Sequence, residues 1–302
     1  MNIANPRVVA IVLNYRNPID SIKCLQSIKD SDYSNLRTIF VDNHSQDDSI
    51  SRIRELFPSI EIVETTKNLG YSGGNNAGIK IALKNPPEYT LIVNNDVVLD
   101  KSCISELIKV AESDSRIGVL GTLVHDMNDR LRITGRGGKV NLWLGLNYDA
   151  NPKRDLNLTP DLWKVDYVSG STMLIRVETI NKIGILRDDF EFYWEDTDFC
   201  FRASRAGYLV CVTAKASSWH KSGTTTKKIP NLRLYYDSRN RIYFERLHAN
   251  RIQKLFFLCQ YLWLDTIMRL FYLTLRDKSI EPAYIIFRAI FDGLNHQLMS
   301  ND

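Results

Sequence analysis

One group of residues that could do chemistry is the short polar sequence Asn94, Asn95 and Asp96, which follows the apolar run 89–93. A lone carboxylate in this setting can bind a divalent cation that is held mainly by the phosphates of a substrate. An aspartate in a turn or capping a helix is the commoner explanation. The pattern alone leaves both explanations open.

A second group places three carboxylates, Glu195, Asp196 and Asp198, directly after Tyr193 and Trp194. A carboxylate beside aromatic rings can serve as a general base, which contributes about 10² to 10⁴ in rate. The helix dipole also favours acidic residues at a helix start, so capping explains at least one of them equally well. Spacing alone does not separate the two roles.

The segment 70–78 is rich in glycine and asparagine and precedes a predicted helix that ends near Leu83. Backbone amides at a helix start can cradle a phosphate, but glycines equally mark a tight turn that needs a positive φ. The order of the glycines matches neither the P-loop motif nor the dinucleotide-binding fingerprint. Both of those nucleotide sites are therefore disfavoured.

His220 lies between Trp219 and Lys221 and is a candidate metal ligand. A half-buried structural histidine is the commoner role for a lone histidine. The other four histidines show no ligand spacing; they are His44, His125, His248 and His296.

Short apolar runs alternate with helix-like segments in the first third of the chain, which predicts a parallel sheet covered by helices. The predicted strands are 8–13, 36–41, 60–63 and 89–93, and the predicted helices between them include 17–29 and 49–57. Polar residues follow three of these strands: Asn14 and Tyr15, Asp42 and Asn43, and Asn94 to Asp96. Ligands of open α/β sheets bind beyond the carboxyl ends of the strands, where these residues would lie.

The middle of the chain is less regular. Residues 124–163 indicate a loop or hairpin insertion. Strands are predicted at 165–168 and 173–177 around the turn Ser169-Gly170-Ser171, a helix at 195–205 that ends near Gly207, and a last strand at 208–213.

The composition is that of a globular protein: 302 residues, 44% hydrophobic and 25% charged. Disordered, collagen-like and mucin-like classes are excluded. Five cysteines without a C-x-x-C pair indicate neither a disulfide framework nor a thiolate zinc site, so a reducing compartment fits best. Because the N-terminus leads directly into a strand, we expect no signal peptide and a cytoplasmic protein.

The chain is basic and aromatic towards its C-terminus. The net charge of +4 is concentrated between Lys227 and Lys254, where eight basic and two acidic residues give a local +6. Residues 255–264 are mostly apolar, but Asp265 and Arg269 interrupt before a bilayer span is complete. We expect peripheral binding to an anionic membrane at the cytoplasmic face of the inner membrane. Packing of these helices on the catalytic domain or in a homodimer is the alternative; no nucleic-acid-binding module accompanies the basic stretch.

Taken in order, these pieces resemble the family 2 nucleotide-sugar glycosyltransferases of the GT-A fold, in the bacterial branch that includes rhamnosyltransferases. The resemblance runs from Val8 to about Gly223. It rests on the segments 9–15, 41–45, 68–78, 94–97 and 194–202 and on Trp219-His220.

The resemblance implies an α/β fold with a Rossmann-like, mostly parallel central sheet and helices on both faces. Residues 1–229 would form the catalytic domain, with a nucleotide-sugar half over about 1–120 and an acceptor half over about 121–229. Residues 230–302 would form a helical C-terminal extension.

The resemblance also implies roles for matching residues. Asp196 would be the catalytic base, and Glu195 would orient it or the acceptor. Asp96, His220 and Asn94 would bind Mg²⁺ or Mn²⁺. Asp42 would accept the imide N–H of a uracil or thymine base. The implied nucleotide-sugar site comprises Asn14, Tyr15, Asp42, Asn68, Gly74, Asn75, Asn76, Asn95, Gly170, Ser171 and Lys221.

One departure from the family pattern concerns Asn94, which stands where many relatives carry an acidic residue. A neutral amide oxygen is a poorer ligand for a hard cation, so metal binding should depend on the donor diphosphate.

The implied reaction is inverting transfer of a sugar, with rhamnose from dTDP-rhamnose preferred, to a hydroxyl of a glycan. The acceptor would be polyprenyl-linked, in bacterial cell-surface polysaccharide synthesis. The alternatives are another UDP- or dTDP-sugar, such as galactofuranose or N-acetylhexosamine, a catalytically retired binding protein, or a nucleotidyltransferase. A processive synthase is disfavoured because a bundle of spanning helices is not predicted.

Overall fold

The computed structural model describes residues 5–149, 160–221, 231–270 and 280–295. The chain divides into two compact units. The first takes the described residues of Met1–Lys139, Asp149–Glu191 and Asp196–Ser222, and the second takes those of Val140–Tyr148, Phe192–Glu195 and Gly223–Asp302. The second unit thus adds two short segments of the predicted catalytic domain to the predicted C-terminal extension.

A mixed β-sheet forms the centre of the first unit. Its strands are β1 (Val8–Asn14), β2 (Leu36–Asp42), β3 (Glu61–Glu64), β4 (Tyr89–Asn94), β5 (Val97–Leu99), β6 (Ile117–Asp126) and β7 (Ile133–Gly135). The last strands of this sheet are β10 (Leu162–Lys164), β11 (Thr172–Arg176) and β12 (Leu209–His220). Between β7 and β10 in the sequence, β8 (Gly138–Asn141) and β9 (Leu146–Asp149) form a separate two-stranded sheet. The main strand order is β10-β12-β6-β11-β4-β1-β2-β3.

Helices cover both faces of this sheet, as predicted. They are α1 (Pro18–Lys29), α2 (Ser49–Leu56), α3 (Gly70–Ala82), α4 (Cys103–Ser113), α5 (Val177–Ile183) and α6 (Glu195–Arg205). The apolar run of β1 is buried on both sides. Ala10 and Val12 pack in the core with α1, α2 and α4, whereas Val9 and Ile11 pack in the core with α3, α5 and α6.

The strand ends that carry the predicted site share one edge of the sheet. β1 pairs in parallel with β2 and with β4, so that Asn14 lies opposite Asp42 and Leu13 opposite Asn94. Beyond β4 the sheet becomes mixed, because β11 runs antiparallel between β4 and β6. The alternating first third of the sequence therefore predicted this part of the sheet correctly.

Two sequence predictions in the second half of the first unit are corrected. A strand was predicted at 165–168, but the strand in this region is β10, which ends at Lys164. Within 165–168, Tyr167 makes an isolated bridge with Gly138. The last strand continues past the predicted 208–213 to His220. It continues because β12 pairs with β6 along its length and, after a register shift between Thr213 and Ser217, also with β5.

The described part of the second unit is mainly helical, with α7 (Leu232–His248), α8 (Arg251–Gln260), a π-helical turn (Tyr261–Asp265) and α9 (Glu281–Asn295). Asn250 and Gln253 form a capping box at the start of α8. The helices share a small core of Ile242, Phe257, Tyr261, Ile286 and Ile290. None of the helices in the described ranges is long and apolar enough to cross a bilayer.

The basic stretch 227–254 is not a continuous charged surface. Lys227 and Lys228 lie outside the described residues. Arg239 and Arg241 are buried among aromatic rings, and the Arg241 guanidinium lies 4.5 Å from the ring centroid of Tyr261. The local charge of +6 therefore overstates the charge that reaches solvent, because two of its arginines belong to the core.

Candidate active site

Asp42, at the end of β2, is almost completely buried, with 2% of its surface exposed. Its Oδ1 accepts hydrogen bonds from Asn14 Nδ2 at 2.8 Å and from Ser45 Oγ at 2.6 Å. Its Oδ2 accepts one from the Ser45 backbone N–H at 2.9 Å. A carboxylate has about four acceptor positions. The described residues fill three of them, which leaves one direction on Oδ2 for the N–H of a ligand.

Asn14 and Asn95 extend this polar cluster to β4 and α1. Asn95 Nδ2 donates to Asn14 Oδ1 and to Ser21 Oγ, both at 3.0 Å. Tyr15 follows Asn14 and is half-buried, and the Arg16 guanidinium lies 5.2 Å from the centroid of its ring. The structure therefore brings Asn14, Asn95 and Asp42 into one network at the sheet edge.

Asn43 shapes the loop that contains Asn68. Its Nδ2 donates to Asn68 Oδ1 at 3.0 Å and to Gly70 O at 2.9 Å, and its Oδ1 accepts from the Leu69 N–H at 2.9 Å. Asn68 Oδ1 also accepts from the Gly70 N–H. The amide oxygen of Asn68 is thus engaged inside the loop, and Asn43 holds the loop against β2.

The glycine-rich segment 70–78 is helical and forms most of α3. The N–H groups of Tyr71 and Ser72, in the first turn, donate to the Glu191 carbonyl oxygen at 2.8 and 3.4 Å. These amides are among the groups that would bind a phosphate at a helix start. The Glu191 carbonyl, from a distant part of the first unit, thus engages two of the amides at the start of α3, and phosphate binding by this segment stays a prediction.

The glycines of α3 allow close packing on the sheet. A Cβ at Gly74 would lie 2.4 Å from Leu13 Cδ1 and 3.1 Å from Asn43 Nδ2, and one at Gly78 would lie 2.5 Å from Ile11 Cγ2. Side chains at these positions would push the helix away from β1. Close packing against Leu13 explains the glycine at position 74. A contact between Gly74 and a nucleotide sugar stays a prediction.

The two asparagines of α3 differ in their surroundings. Asn76 Nδ2 donates to the Leu186 carbonyl at 2.8 Å and its Oδ1 accepts from the Leu186 N–H at 3.1 Å. The structure therefore places Asn76 against the loop before α6, where its amide is used for packing. Asn75 is fully buried and donates to the Tyr71 carbonyl, while its Oδ1 has no hydrogen-bond partner among the described residues.

Asp96 and His220 meet at the end of the sheet. Asp96 Oδ1 lies 3.1 Å from His220 Nε2, and both side chains are largely buried. The pairing of β5 with the end of β12 explains this contact, since Val97 lies opposite His220. The next residue, Lys221, donates its backbone N–H to the Asp96 carbonyl and places its Nζ 3.1 Å from Asp20 Oδ2.

The donor set at Asp96 fits a cation that is shared with a substrate. It offers one carboxylate and one imidazole, and the described part of the chain holds no cluster of three His, Cys, Asp or Glu side chains for a metal ion. Mg²⁺ is often bound by one or two carboxylates together with substrate phosphates and water. The residues present therefore suit a cation completed by a diphosphate.

Asp196, in the first turn of α6, is bound to a turn of the first unit. Its Oδ2 accepts the Gly170 N–H at 2.9 Å, and its Oδ1 accepts the Thr197 N–H at 2.6 Å. The Gly170 carbonyl accepts the Tyr71 hydroxyl at 2.6 Å. Gly170 is thus fixed through both its N–H and its carbonyl, and it fixes the orientation of the Asp196 carboxylate.

Burial raises the pKa of Asp196 above its ordinary value, and the hydrogen bonds from Gly170 and Thr197 oppose that rise. A raised pKa makes a carboxylate a stronger base near neutral pH.

The chain enters α6 through a strained backbone. Three non-glycine residues, Glu191, Tyr193 and Trp194, have positive φ values of 59°, 66° and 72°. Such conformations cost about 1 to 3 kcal/mol each and cluster at functional sites. Glu195 begins α6, is buried and belongs to the second unit. Its orienting role stays a prediction.

The turn at 169–171 connects the two groups of candidate residues. The Asn94 N–H donates to the Ser171 carbonyl at 2.9 Å, where β11 meets β4. The neighbouring Gly170 contacts Asp196. The segment that carries Asp96 and the helix that carries Asp196 therefore meet at one turn, although they are far apart in the sequence.

Comparison with known proteins agrees with this geometry. The sequence model described as "Glycosyl transferase family 2" matches residues 9–184, which is more than half of the chain. The chain is a family 2 glycosyltransferase. The matched range includes Asp42, Asp96 and Gly170, whereas Asp196 and His220 follow it.

Two curated relatives align with most of this glycosyltransferase. The low-salt glycan biosynthesis hexosyltransferase Agl10 of Haloferax volcanii is 29% identical over 236 residues, covering 76% of this chain and 73% of the relative. The N-acetylglucosaminyl-diphospho-decaprenol L-rhamnosyltransferase of Mycobacterium tuberculosis is 25% identical over 210 residues, covering 64% and 68%.

Two solved structures share the fold. The mannosyltransferase PcManGT of Pyrobaculum calidifontis, solved with GDP-Man and Mn²⁺, has a TM-score of 0.59 at 15% identity and covers 97% of this chain and 76% of that one. TarS of S. aureus, residues 1–349, has a TM-score of 0.61 at 16% identity, with 95% and 80% covered. The predicted α/β GT-A fold with C-terminal helices is confirmed.

Several residues that build the site of this glycosyltransferase were given no role from the sequence. Asn43 was named among the polar residues at the strand ends and Ser45 stands in the same motif, but neither was assigned a function. Tyr71 and Asp20 gave no local signal, because each acts on a residue from a distant segment.

Proposed function

We propose that this glycosyltransferase moves a sugar from a pyrimidine nucleoside diphosphate donor to a hydroxyl of a lipid-linked glycan, with inversion at the anomeric carbon. The observation that carries the proposal is the shared turn at 169–171. It contacts Asp196 on one side and the backbone of Asn94, in the Asp96 segment, on the other. A base and a diphosphate-binding group in this arrangement suit attack and departure at one sugar carbon.

Asp196 is the general base of the proposed reaction. Its carboxylate takes the proton of the acceptor hydroxyl as the oxygen forms a bond to the anomeric carbon. The bond from that carbon to the diphosphate breaks on the opposite face, and its electron pair leaves with the nucleoside diphosphate. Gly170 and Thr197 hold the carboxylate in place, and the burial that raises its pKa strengthens it as a base.

Asp96 and His220, together with Asn94 from the same segment as Asp96, would hold Mg²⁺ or Mn²⁺. Such a cation, when bound, neutralises charge on the leaving diphosphate. Asp96 and His220 themselves lie within hydrogen-bonding distance of each other, which keeps both side chains at the sheet edge. Lys221 adds a positive charge beside the same edge, where Asp20 orients it.

Asp42 and its polar cluster would bind the base of the nucleotide. The remaining acceptor direction of its carboxylate suits the imide N–H of uracil or thymine, and the fixed donors around it hold that direction. Adenine has no ring N–H of this kind, and guanine presents its ring N–H between a carbonyl and an amino group instead of between two carbonyls, so we propose a UDP- or dTDP-linked donor. Rhamnose is preferred because a curated relative is a rhamnosyltransferase.

The acceptor is proposed from the same relatives. One is named as acting in glycan biosynthesis and the other on a diphospho-decaprenol substrate. A polyprenyl-linked glycan at the cytoplasmic face of a membrane, in the synthesis of a cell-surface polysaccharide, is the corresponding proposal for this chain.

A panel of nucleotide sugars tests the proposal. Release of nucleoside diphosphate is measured for UDP-, dTDP- and GDP-linked sugars, each with Mg²⁺, with Mn²⁺ and with a chelator. We expect release from a pyrimidine donor, stimulated by either cation. Release of pyrophosphate would indicate a nucleotidyltransferase instead, and binding without turnover of any donor would indicate a retired enzyme.

The Asp196→Asn variant tests the base. We expect transfer to fall by about 10² to 10⁴, since a general base contributes that much, with donor affinity changed less than about threefold. Asp129→Asn, at an exposed loop, is the matched control and should retain full activity. Equal rates for Asp196→Asn and the unaltered protein would remove Asp196 from the reaction.

A further inference from the structure

Helix α9 exposes an apolar stripe along its length. Ile280, just before the helix, and Tyr284, Phe287, Phe291 and Leu294 within it follow each other at alternating intervals of four and three residues. That spacing places them on one face. Their exposed fractions run from 39% to 81%. The opposite face carries Ile286, Ile290 and Gly293 and packs in the core of the second unit.

The helical segment that starts with α8 exposes a second set of apolar side chains. Ile252, Phe256, Trp263 and Ile267 are all exposed, and Trp263 reaches 74%. Their neighbours Phe257 and Tyr261 point into the core. Each of the two helices therefore buries one apolar face and leaves another in contact with water, which is unusual for a helix at a protein surface.

The charges around these stripes are mainly basic. Arg233, Arg251 and Arg288 are exposed, and Lys254 and Arg269 are half-buried. Among the acidic residues in the described ranges of this unit, Glu281 is exposed, Asp237 and Asp292 are half-buried, and Asp265 stands between Trp263 and Ile267 in the sequence. The apolar faces thus lie in surroundings with a net positive charge.

We propose that the apolar faces of α8 and α9 form a membrane-binding surface that inserts into the interfacial layer of an anionic bilayer. Apolar and aromatic side chains enter the boundary between head groups and acyl chains, where Trp and Tyr are favoured. The basic side chains meet the anionic head groups. This proposal rests on the proposed function, which gives the enzyme a lipid-linked acceptor.

Charge complementarity favours a bilayer over a second copy of the chain. A two-fold dimer is self-complementary, so it would bring the same positively charged surroundings together from both protomers. That repulsion opposes pairing through these faces, whereas anionic lipid is attracted by the same charges.

Vesicle flotation with the full chain tests the proposal. One set of vesicles contains phosphatidylethanolamine with a third phosphatidylglycerol, and the other contains phosphatidylcholine alone. We expect binding to the anionic vesicles that weakens in high salt. The double variant Phe287→Ser with Phe291→Ser should lower the partition coefficient by about tenfold or more, because two large apolar groups no longer insert.

A matched control is Leu131→Ser, since Leu131 is 89% exposed in the first unit and lies outside both helices. It should float like the unaltered protein. Circular dichroism and nucleoside diphosphate release without vesicles should be unchanged in all variants, which separates loss of binding from loss of folding. Binding is read without turnover, so it remains measurable even if no donor is found.

Three results would overturn the proposal. The first is a protein that does not float with anionic vesicles. The second is a stable dimer in light scattering that the Phe287→Ser and Phe291→Ser variant converts to monomer, since a second copy would then cover these faces. The third is equal flotation of the double variant and the Leu131→Ser control, which would show that α9 does not contact the membrane.

Discussion

Asp42 and Glu245 are both almost completely buried carboxylates, one in each unit, and their surroundings are opposite. Asp42 accepts three hydrogen bonds from Asn14 and Ser45. Neither oxygen of Glu245 has a hydrogen-bond partner among the described residues, and burial raises its pKa from 4.5 to about 8. The first carboxylate accepts hydrogen bonds on both oxygens, whereas the second has none and is held mainly as a neutral acid at pH 7.

The difference extends to the surfaces of the two units. The parallel strands of the first unit end together and bring asparagine, serine and aspartate side chains into hydrogen-bonding distance. The helices of the second unit enclose arginines with aromatic rings and leave apolar faces exposed. In the function and the membrane contact proposed above, sugar transfer belongs to the first unit, apart from the role of Glu195, and membrane attachment belongs to the second. Changes in one unit should therefore leave the property of the other intact.

After Asp196→Asn, the largest effect is expected at Asp96. Asp96→Asn should lower kcat by about 100-fold and raise the Mn²⁺ concentration needed for half-maximal rate, since a neutral amide is a poorer ligand for a hard cation. Metal titrations of sugar transfer measure both changes. Vesicle binding should not change. An unaltered metal requirement would contradict the placement of the cation at Asp96.

The packing of α3 on the sheet gives the next effect. Gly74→Ala should lower the free energy of unfolding by about 2 kcal/mol, because the new Cβ would overlap Leu13 Cδ1. Denaturant titration measures this loss. Adding Leu13→Ala should make the effect of the glycine substitution smaller, as expected for two residues in contact. Simple additivity of the two losses would show that Leu13 does not limit the space at Gly74.

Glu245 provides a stability test in the second unit. Since its folded-state pKa is raised, the protonated form stabilises the fold below about pH 4.5, and this contribution is lost as pH rises through about 8. Glu245→Gln keeps the neutral shape and should increase the free energy of unfolding at pH 8.5 by on the order of 1 to 2 kcal/mol. The advantage should shrink towards pH 5.

Thermal unfolding at several pH values measures this difference, with Glu178→Gln on an exposed position of α5 as control. Sugar transfer should be unaffected by either change. A Glu245→Gln variant with the same pH profile of stability as the unaltered protein would show that the carboxyl group does not titrate in the folded state.

The smallest effect is expected at Tyr71. Tyr71→Phe removes the hydroxyl that donates to Gly170 and should lower kcat by about three- to tenfold, since the loss of one positioning hydrogen bond is worth about 1 kcal/mol. KM for the donor should hardly change. Initial rates measured over a range of donor concentrations separate the two parameters. A change confined to KM would place Tyr71 in donor binding instead.

Local patterns were sufficient for the fold up to β4. The apolar runs of β1, β2 and β4 and the helix pattern at 17–29 predicted elements that the structure contains. Buried parallel strands leave continuous apolar runs, which are readable from neighbouring residues. The polar residues after these strands were predicted to share one edge, and Asn14, Asp42 and Asn95 do form one cluster.

Patterns failed where the same residues suit two structures. The glycines of 70–78 indicate a flexible loop as well as a helix that packs closely, and only the neighbouring strand shows that Gly74 faces Leu13. The last strand was predicted too short, because Ser217 to His220 gain their hydrogen bonds from β5 and β6 and not from their own periodicity.

The sequence by itself determined the family, the order of strands and helices up to β4, and which residue types stand at the ends of these strands, because these follow from neighbouring residues and their order. Tertiary structure alone decided the partners. Asp96 meets His220, Tyr71 fixes Gly170, and the Glu191 carbonyl occupies the start of α3. It also decided that one face of α9 is exposed. Such contacts join distant segments, and their geometry depends on how the folded chain packs.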